Sequence, residues 1–359
     1  MDHETKKHGK SFKKELGQFF TTNYSYILQD MEIPDKITNI IEPFAGNGDL
    51  VKFVEEDQEK KNVLYRIECY DVDPKNPSIM RRDTLKDPPC YTDKFVITNP
   101  PYLARNKSRD KTIFDKYNVN DLYKCLMKHI SQNVCLGGIL IVPLNFWSSI
   151  RVADRQLRKS FLEKYDVVVL NIFEENVFDD TSYTVCSFQF TLKMKRKDNV
   201  KIKIMVYPSK KYIETELNEK NNFMIGGDIY NFKSKNSYSI SRLTSKNLNR
   251  SNTNILAKCI DDNLRSPIAL SFVRDEDIYV DTTPNQTART YATLIIDPPI
   301  DKEKQKELIS KFNKYLGEHR NKYNSLFLTN YRESKDIARK RISFDLVYSI
   351  IKYILDDDM

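Results

Sequence analysis

A chain of 359 residues is long enough for one large domain or two ordinary ones. Hydrophobic residues at 40% and charged residues at 30%, with only 9 Gly and 14 Pro, exclude collagen-like and wholly disordered classes. No stretch approaches the roughly 18 to 20 consecutive apolar residues of a membrane helix, so no membrane partner is expected.

The formal charge of +8 is unevenly placed: residues 1–190 carry 27 Lys and Arg against 28 Asp and Glu, and residues 191–359 carry 31 against 22. Residues 201–260 alone hold 11 basic and 4 acidic side chains. Such an excess, mixed with Tyr, Phe, Asn and Ser, suits either a solvated Lys-rich face or a polyanion contact. Cysteines at 69, 90, 125, 135, 186 and 259 form no Cys-x-x-Cys pair, and the four His add no metal-ligand spacing. Reduced thiols, no metal and a cytoplasmic setting are expected.

In chain order, residues 1–14 are charged and lack an apolar stretch, which predicts a flexible basic arm. Short apolar runs at 37–41, 65–70, 95–98, 138–142, 167–172 and 185–192 read as strands. Helix-length segments at 49–60, 121–135 and 151–164 lie between them. This alternation predicts a parallel, doubly wound α/β sheet. After 193–197 the alternation fades, placing a domain boundary near 195, and 342–355 repeats apolar positions at the spacing of a closing helix.

The first strand runs into Glu42-Pro43-Phe44-Ala45-Gly46-Asn47-Gly48-Asp49, where two glycines let the backbone turn tightly before a helix. Val51 stands where a dinucleotide fingerprint needs its third glycine, and no Gly-Lys-Ser/Thr follows, so neither NAD nor ATP is supported. A cofactor without phosphates fits better. The next strand ends in Tyr70-Asp71-Val72-Asp73-Pro74, where a carboxylate at the strand tip suits two ribose hydroxyls. Asp83 follows at the spacing of a third tip and suits an adenine amino group. Taken singly, each Asp reads better as a turn or cap residue; taken together with Gly46 and Gly48, they read as a site.

The strand 95–98 ends in Asn99-Pro100-Pro101-Tyr102, and two consecutive prolines stiffen the backbone that presents their neighbours. The Asn99 side-chain oxygen and the Pro100 carbonyl can both accept from one NH2 group, while the Tyr102 ring offers a face for a planar base.

Leu16-Gly17-Gln18-Phe19-Phe20-Thr21-Thr22, the Gly46 loop and Asn99-Pro100-Pro101-Tyr102 together resemble the S-adenosylmethionine-dependent N6-adenine DNA methyltransferases of restriction-modification systems. Their order is that of the gamma arrangement. The resemblance covers roughly residues 15–195 and implies a Rossmann-like methyltransferase sheet there; 196–359 is similar to the family's C-terminal recognition domain only by position and charge, and a mixed α+β DNA-recognition domain is expected. It implies that Phe20, Thr21, Glu42, Ala45, Gly46 and Gly48 surround the methionine part of the cofactor. Asp71, where many relatives have Glu, would hold the ribose; Val72 would pack on the cofactor adenine and Asp83 would bond its amino group. Asn99 and Pro100 would hold the target amine, and Tyr102 would stack on the extruded base. Asn176-Val177-Phe178-Asp179-Asp180-Thr181-Ser182 resembles a late motif whose Phe, here Phe178, packs on the other face of that base.

The implied partners are double-stranded DNA with a short palindromic site and a cognate restriction endonuclease, with a monomer or weak dimer sufficing. Arg274, Asn285, Gln286 and Arg289 are base readers by chemistry. Three alternatives share parts of this pattern: RNA adenine methylation, methylation of a protein glutamine amide, and an inactive DNA-binding subunit that keeps the fold. Glutamine methyltransferases place a helical domain before the catalytic fold and little after it, unlike this chain.

Overall fold

The computed structural model describes residues 21–178, 184–195, 199–233, 237–248, 250–261, 267–282, 290–333 and 338–357. The chain divides into two compact units, Met1–Phe146 with Ile150–Asn218, and Glu219–Met359 with Trp147–Ser149.

The first unit is built on nine strands: β1 Asn39–Glu42, β2 Arg66–Asp71, β3 Met80–Arg81, β4 Phe95–Thr98, β5 Gly137–Pro143, β6 Tyr165–Phe173, β7 Val185–Leu192, β8 Val200–Tyr207 and β9 Lys211–Leu217. Their order in the sheet is β3-β2-β1-β4-β5-β7-β6-β8-β9. The longer helices are α1 Asp49–Lys61, α2 Leu122–Gln132 and α3 Val152–Lys164. β1 has β2 on one side and β4 on the other, both parallel. The chain thus reverses its direction of travel through the sheet between β1 and β4, and the loops leaving those two strands diverge there to form a crevice. Every residue of β4 and β5 is buried, which is why both read as unbroken apolar runs. Gly138 is required at the start of β5, because a Cβ there would meet the Val96 carbonyl oxygen at 2.2 Å.

Two expectations need correction. The sheet is mostly but not wholly parallel: β7 runs antiparallel to both β5 and β6. A parallel return needs a crossover of about a dozen residues or more, usually helical, whereas β7 follows β6 across the short connection 174–184. It inserts Phe188 and Phe190 against α3, with Phe161 5.1 Å from Phe190 and edge-on to Phe188 at 5.9 Å. The unit also does not end near 195. β8 pairs parallel with β6 and β9 folds back on β8. In β8, Ile202, Ile204 and Val206 are buried while Lys201 and Lys203 are exposed. Part of the basic excess of 201–260 is therefore the solvent side of this strand.

The second unit has the mixed α+β character expected. Four antiparallel strands, β10 Ser239–Arg242, β11 Ile255–Lys258, β12 Ala269–Phe272 and β13 Tyr291–Asp297, lie in the order β10-β13-β11-β12. Helix α4 Lys302–Lys322 is capped by Asp301, whose carboxylate accepts from the Lys304 N–H at 2.8 Å. Asn313 on α4 pairs its amide with both the N–H and the carbonyl of Leu270, at 2.9 Å each, and so satisfies backbone groups on β12. A hairpin, β14 Thr329–Glu333 and β15 Ala338–Arg341, precedes the closing helix α5 Phe344–Asp357. No described helix is long and apolar enough to cross a membrane.

Candidate active site

The turn after β1 closes because the Gly48 N–H donates to the Ala45 carbonyl at 2.7 Å. Gly46 and Gly48 sit at φ 55° and 85°, a region that side chains disfavour. Gly48 directly precedes α1, so the glycines that the sequence marks as a turn shape the helix entry. Asp71, at the tip of β2, is 3% exposed; its Oδ2 accepts from the Gly46 N–H and its Oδ1 from the Asp73 N–H, each at 2.8 Å. One carboxylate therefore fastens two loops. Thr84 adds a third tie, donating to the Pro43 carbonyl at 2.9 Å.

Glu42 ends β1 at 2% exposure. Its Oε1 accepts from the Thr98 hydroxyl at 2.5 Å and the Phe44 N–H at 3.3 Å, and its Oε2 has no partner among the described residues. Burial pushes the carboxyl up to about 8, against the pull of those two bonds. With Oε1 accepting both bonds, a protonated carboxyl carries its hydrogen on Oε2, where it can donate.

Asn99 is 9% exposed and its Nδ2 lies 3.1 Å from the Thr21 hydroxyl. The Tyr102 hydroxyl, whose pKa burial holds well above the ordinary value, contacts Asn99 Oδ1 and lies 2.8 Å from the Ile141 carbonyl. A phenol has one hydrogen to give. Both contacts are satisfied together if the Asn99 amide is turned over, so that its NH2 donates to Tyr102, its oxygen accepts from Thr21, and Tyr102 donates to Ile141. In either arrangement Tyr102 braces Asn99 from behind. Its ring is 2% exposed and meets Tyr123 edge-on at 6.2 Å.

A cavity of about 540 Å³ opens at this point of the sheet. Gly46, Asp71, Val72, Asp83 and Asn99 stand on its walls with Pro101. Glu42, Ala45 and Pro100 are buried behind it. Asp83 also closes a turn, accepting from the Lys86 N–H at 3.2 Å. Neither Tyr102 nor Phe178, which is 6% exposed, is on these walls. Phe20, Asp179, Asp180, Asn285, Gln286 and Arg289 lie outside the described residues. Arg274 is on the surface, paired with Asp277 at 2.8 Å and Glu276 at 3.1 Å.

Sequence reasoning missed part of the lining. Leu103, Ile113, Phe114 and Leu122 supply apolar surface to the cavity, and Lys107 to Asp110 line it as well. The segment from Leu103 to Leu122 is held in place by antiparallel pairing of Ala104 with Asp121 and by the Arg105 N–H to Asn120 carbonyl bond at 3.0 Å. Its signal in the sequence was Ile113-Phe114 in a short helix, Thr112–Tyr117, too brief to show a period.

Beside the Gly46 loop, which has no phosphate-binding lysine, the cavity is lined by Asp71 and Asp83, and further along by Asp110 with Arg82, Lys86, Lys107 and Arg109; the part next to the loop suits a phosphate-free nucleoside. S-adenosylmethionine, with a sulfonium, an ammonium and one carboxylate, is such a group.

No protein-family model matches the sequence, and no curated protein matches it. Among solved structures, the chain is similar in part to a type I restriction-modification methyltransferase subunit from Streptococcus thermophilus, at 14% identity over 52% of this chain and 47% of that one, TM-score 0.37. It is similar to the EcoKI M protein of a type I restriction enzyme at 16% identity over 53% and 48%, TM-score 0.38. A chain of a DrdV–DNA complex gives 14% identity over 72% and 36%, TM-score 0.46. The chain spans about half the length of the first two. These likenesses are partial, and the fold assignment rests on the strand order.

Proposed function

We propose that the chain transfers a methyl group from S-adenosylmethionine to N6 of an adenine in DNA, the base being turned out of the duplex to reach the cleft. One observation carries the reading: Asn99, at the tip of β4, and the Gly46 loop with Asp71, at the tips of β1 and β2, border one cavity where the sheet reverses. An N6 amine inside a duplex cannot reach a methyl donor, so extrusion is required.

When bound, the cofactor supplies an electrophilic methyl group. The chain's own residues do the rest. Asp71 accepts the ribose hydroxyls, Val72 packs on the cofactor adenine and Asp83 accepts from its amino group. Glu42, with Thr21, Phe20 and the loop Ala45 to Gly48, surrounds the methionine end. Asn99 Oδ1 and the Pro100 carbonyl accept the two N6 protons and draw the amine toward tetrahedral geometry, freeing its lone pair; one of those protons later leaves along the same hydrogen bond. Positioning accounts for most of the rate. Tyr102 fixes the amide; it and Phe178 are buried off the walls of this cavity, so stacking of either ring on the target base requires that ring to be uncovered when the base enters. Residues 219–359 would read a short, palindromic site, with each strand methylated in a separate event by a monomer or weak dimer. A restriction endonuclease of the same specificity, in the cytoplasm, would be the natural companion.

The test is to incubate the protein with unmethylated duplex DNA and S-adenosylmethionine, digest to nucleosides and identify modified bases by mass spectrometry. N6-methyldeoxyadenosine is expected; no modified base with cofactor binding intact would move the acceptor to RNA or protein. Asn99→Ala should abolish transfer while cofactor binding persists. Tyr102→Phe keeps the ring and removes the brace, and should slow transfer about 10- to 100-fold, the equivalent of a hydrogen bond worth roughly 1–3 kcal/mol. A purely stacking ring would leave Tyr102→Phe near the wild-type rate.

A further inference from the structure

Beyond Tyr102 the chain runs antiparallel to the segment that enters α2. The Leu122 N–H donates to the Leu103 carbonyl at 3.2 Å, Ala104 pairs with Asp121, and the Arg105 N–H donates to the Asn120 carbonyl at 3.0 Å. The strap between Arg105 and Asn120 hangs from this short ribbon. Carried back by one position, the same register sets Tyr102 beside Tyr123, and their rings meet edge-on at 6.2 Å and 88°.

Tyr123 is 3% exposed, and its hydroxyl makes no hydrogen bond among the described residues, so its contribution comes from the ring. That ring also meets Phe146 edge-on at 6.5 Å. Lys124 Nζ lies 5.6 Å from its centroid, held there by Asp154 at 2.5 Å and Asn120 at 2.8 Å. Phe146 in turn stacks on Phe188 of β7 and meets Phe161 of α3 edge-on, each at 6.3 Å. The first turn of α2, the exit of β5, α3 and β7 thus back one ring, and its neighbour Tyr102 contacts the Asn99 amide and the Ile141 carbonyl. Rotation of the Tyr102 side chain is the motion that would carry its hydroxyl off the amide, and a ring packed edge-on against it opposes that motion.

We infer that Tyr123 is a positioning residue for methyl transfer, acting through the Tyr102 ring to hold the Asn99 amide where the target amine must meet it. The inference rests on the DNA-methyltransferase reading and extends it to a side chain that is not on the cavity walls.

The test is a kinetic cycle on wild type, Tyr123→Leu, Tyr102→Phe and the double variant, with saturating S-adenosylmethionine and unmethylated random-sequence duplex DNA, reading kcat for N6-methyldeoxyadenosine. Melting temperature and cofactor affinity by calorimetry are measured for each. Tyr123→Leu should lower kcat about tenfold while cofactor affinity and the KM for DNA stay within about twofold. Tyr123→Phe, which keeps the ring, should recover most of that loss. In the Tyr102→Phe background the same leucine should cost less than about twofold, because the brace it acts through is already gone. Equal losses in the two backgrounds overturn the inference, and so does a wild-type kcat in folded Tyr123→Leu. If Tyr123→Leu does not fold, Tyr123→Met enters the same cycle; failure of both to fold makes Tyr123 a packing residue and overturns the inference too. A wild type that binds cofactor yet methylates none of the DNA fails the reading itself and takes the inference with it, whereas an active wild type with equal losses sinks the inference alone.

Discussion

Glu42 and Asp71 show how differently two carboxyls in one cleft are used. Asp71 accepts from two backbone N–H donors, those of Gly46 and Asp73. Glu42 has a buried oxygen without a partner and a carboxyl pushed up to about 8 from its ordinary 4.5. The folded chain then holds this proton more tightly than the unfolded chain does. The stability it contributes is complete below pH 4.5 and is lost progressively as pH rises to about 8. Glu42→Gln keeps the shape and removes the titration. The wild-type melting temperature should fall relative to that of Glu42→Gln between pH 5 and 8, by several degrees; parallel curves would show that the acid is charged throughout. At this scale the sequence was informative about which residues gather, since Gly46, Asp71, Val72, Asp83 and Asn99 stand around one cavity. It was silent on how they are held. That Asp71 ties two loops, or that the Tyr102 hydroxyl supports Asn99, depends on backbone groups no motif spells out.

Elements α2 and α3 are joined by an ion pair. Lys124 Nζ lies 2.5 Å from Asp154 Oδ1 and 2.8 Å from Asn120 Oδ1, with both ion-pair side chains under 10% exposed. Removing one member of such a pair leaves a buried charge. Lys124→Met should therefore destabilise the protein by about 3–5 kcal/mol, and Lys124→Met with Asp154→Leu by much less. Denaturant unfolding followed by circular dichroism would read these and Asp154→Leu alone, and a double loss equal to the sum of the two single losses would show that the pair is not coupled. The cause reaches the cavity, because Asn120 also accepts from Arg105 at the start of the strap. Strand and helix positions up to β7 were legible because buried strands read as apolar runs and the helices between them have length. The direction of β7 was not, since a run of buried residues looks the same either way. β8 was hidden by its chemistry: its exposed Lys201 and Lys203 read as part of a basic tract, although the alternation with Ile202 and Ile204 was there to see.

Across the whole molecule, the fold class was legible and the division of labour between the units only partly so. The fading of the strand and helix alternation after 193–197 drew the boundary near 195; pairing draws it after Asn218. The proposed recognition unit is therefore a smaller piece, and three of its four candidate readers lie outside the described residues. The addition of β8 and β9 has a practical consequence. They move the free margin of the sheet from β6, whose nine residues are almost all buried, to β9, which exposes Lys211, Glu214 and Glu216. A fragment ending at 195 would bare a long apolar strand with unpaired N–H and carbonyl groups, the template on which chains stack. One ending at 218 would keep its charged border. Expressed side by side, the shorter piece should be recovered as aggregate and the longer as dispersed protein, as light scattering would show; so the two strands that sequence assigned to a neighbour act as the selvedge that keeps this sheet from fraying into others.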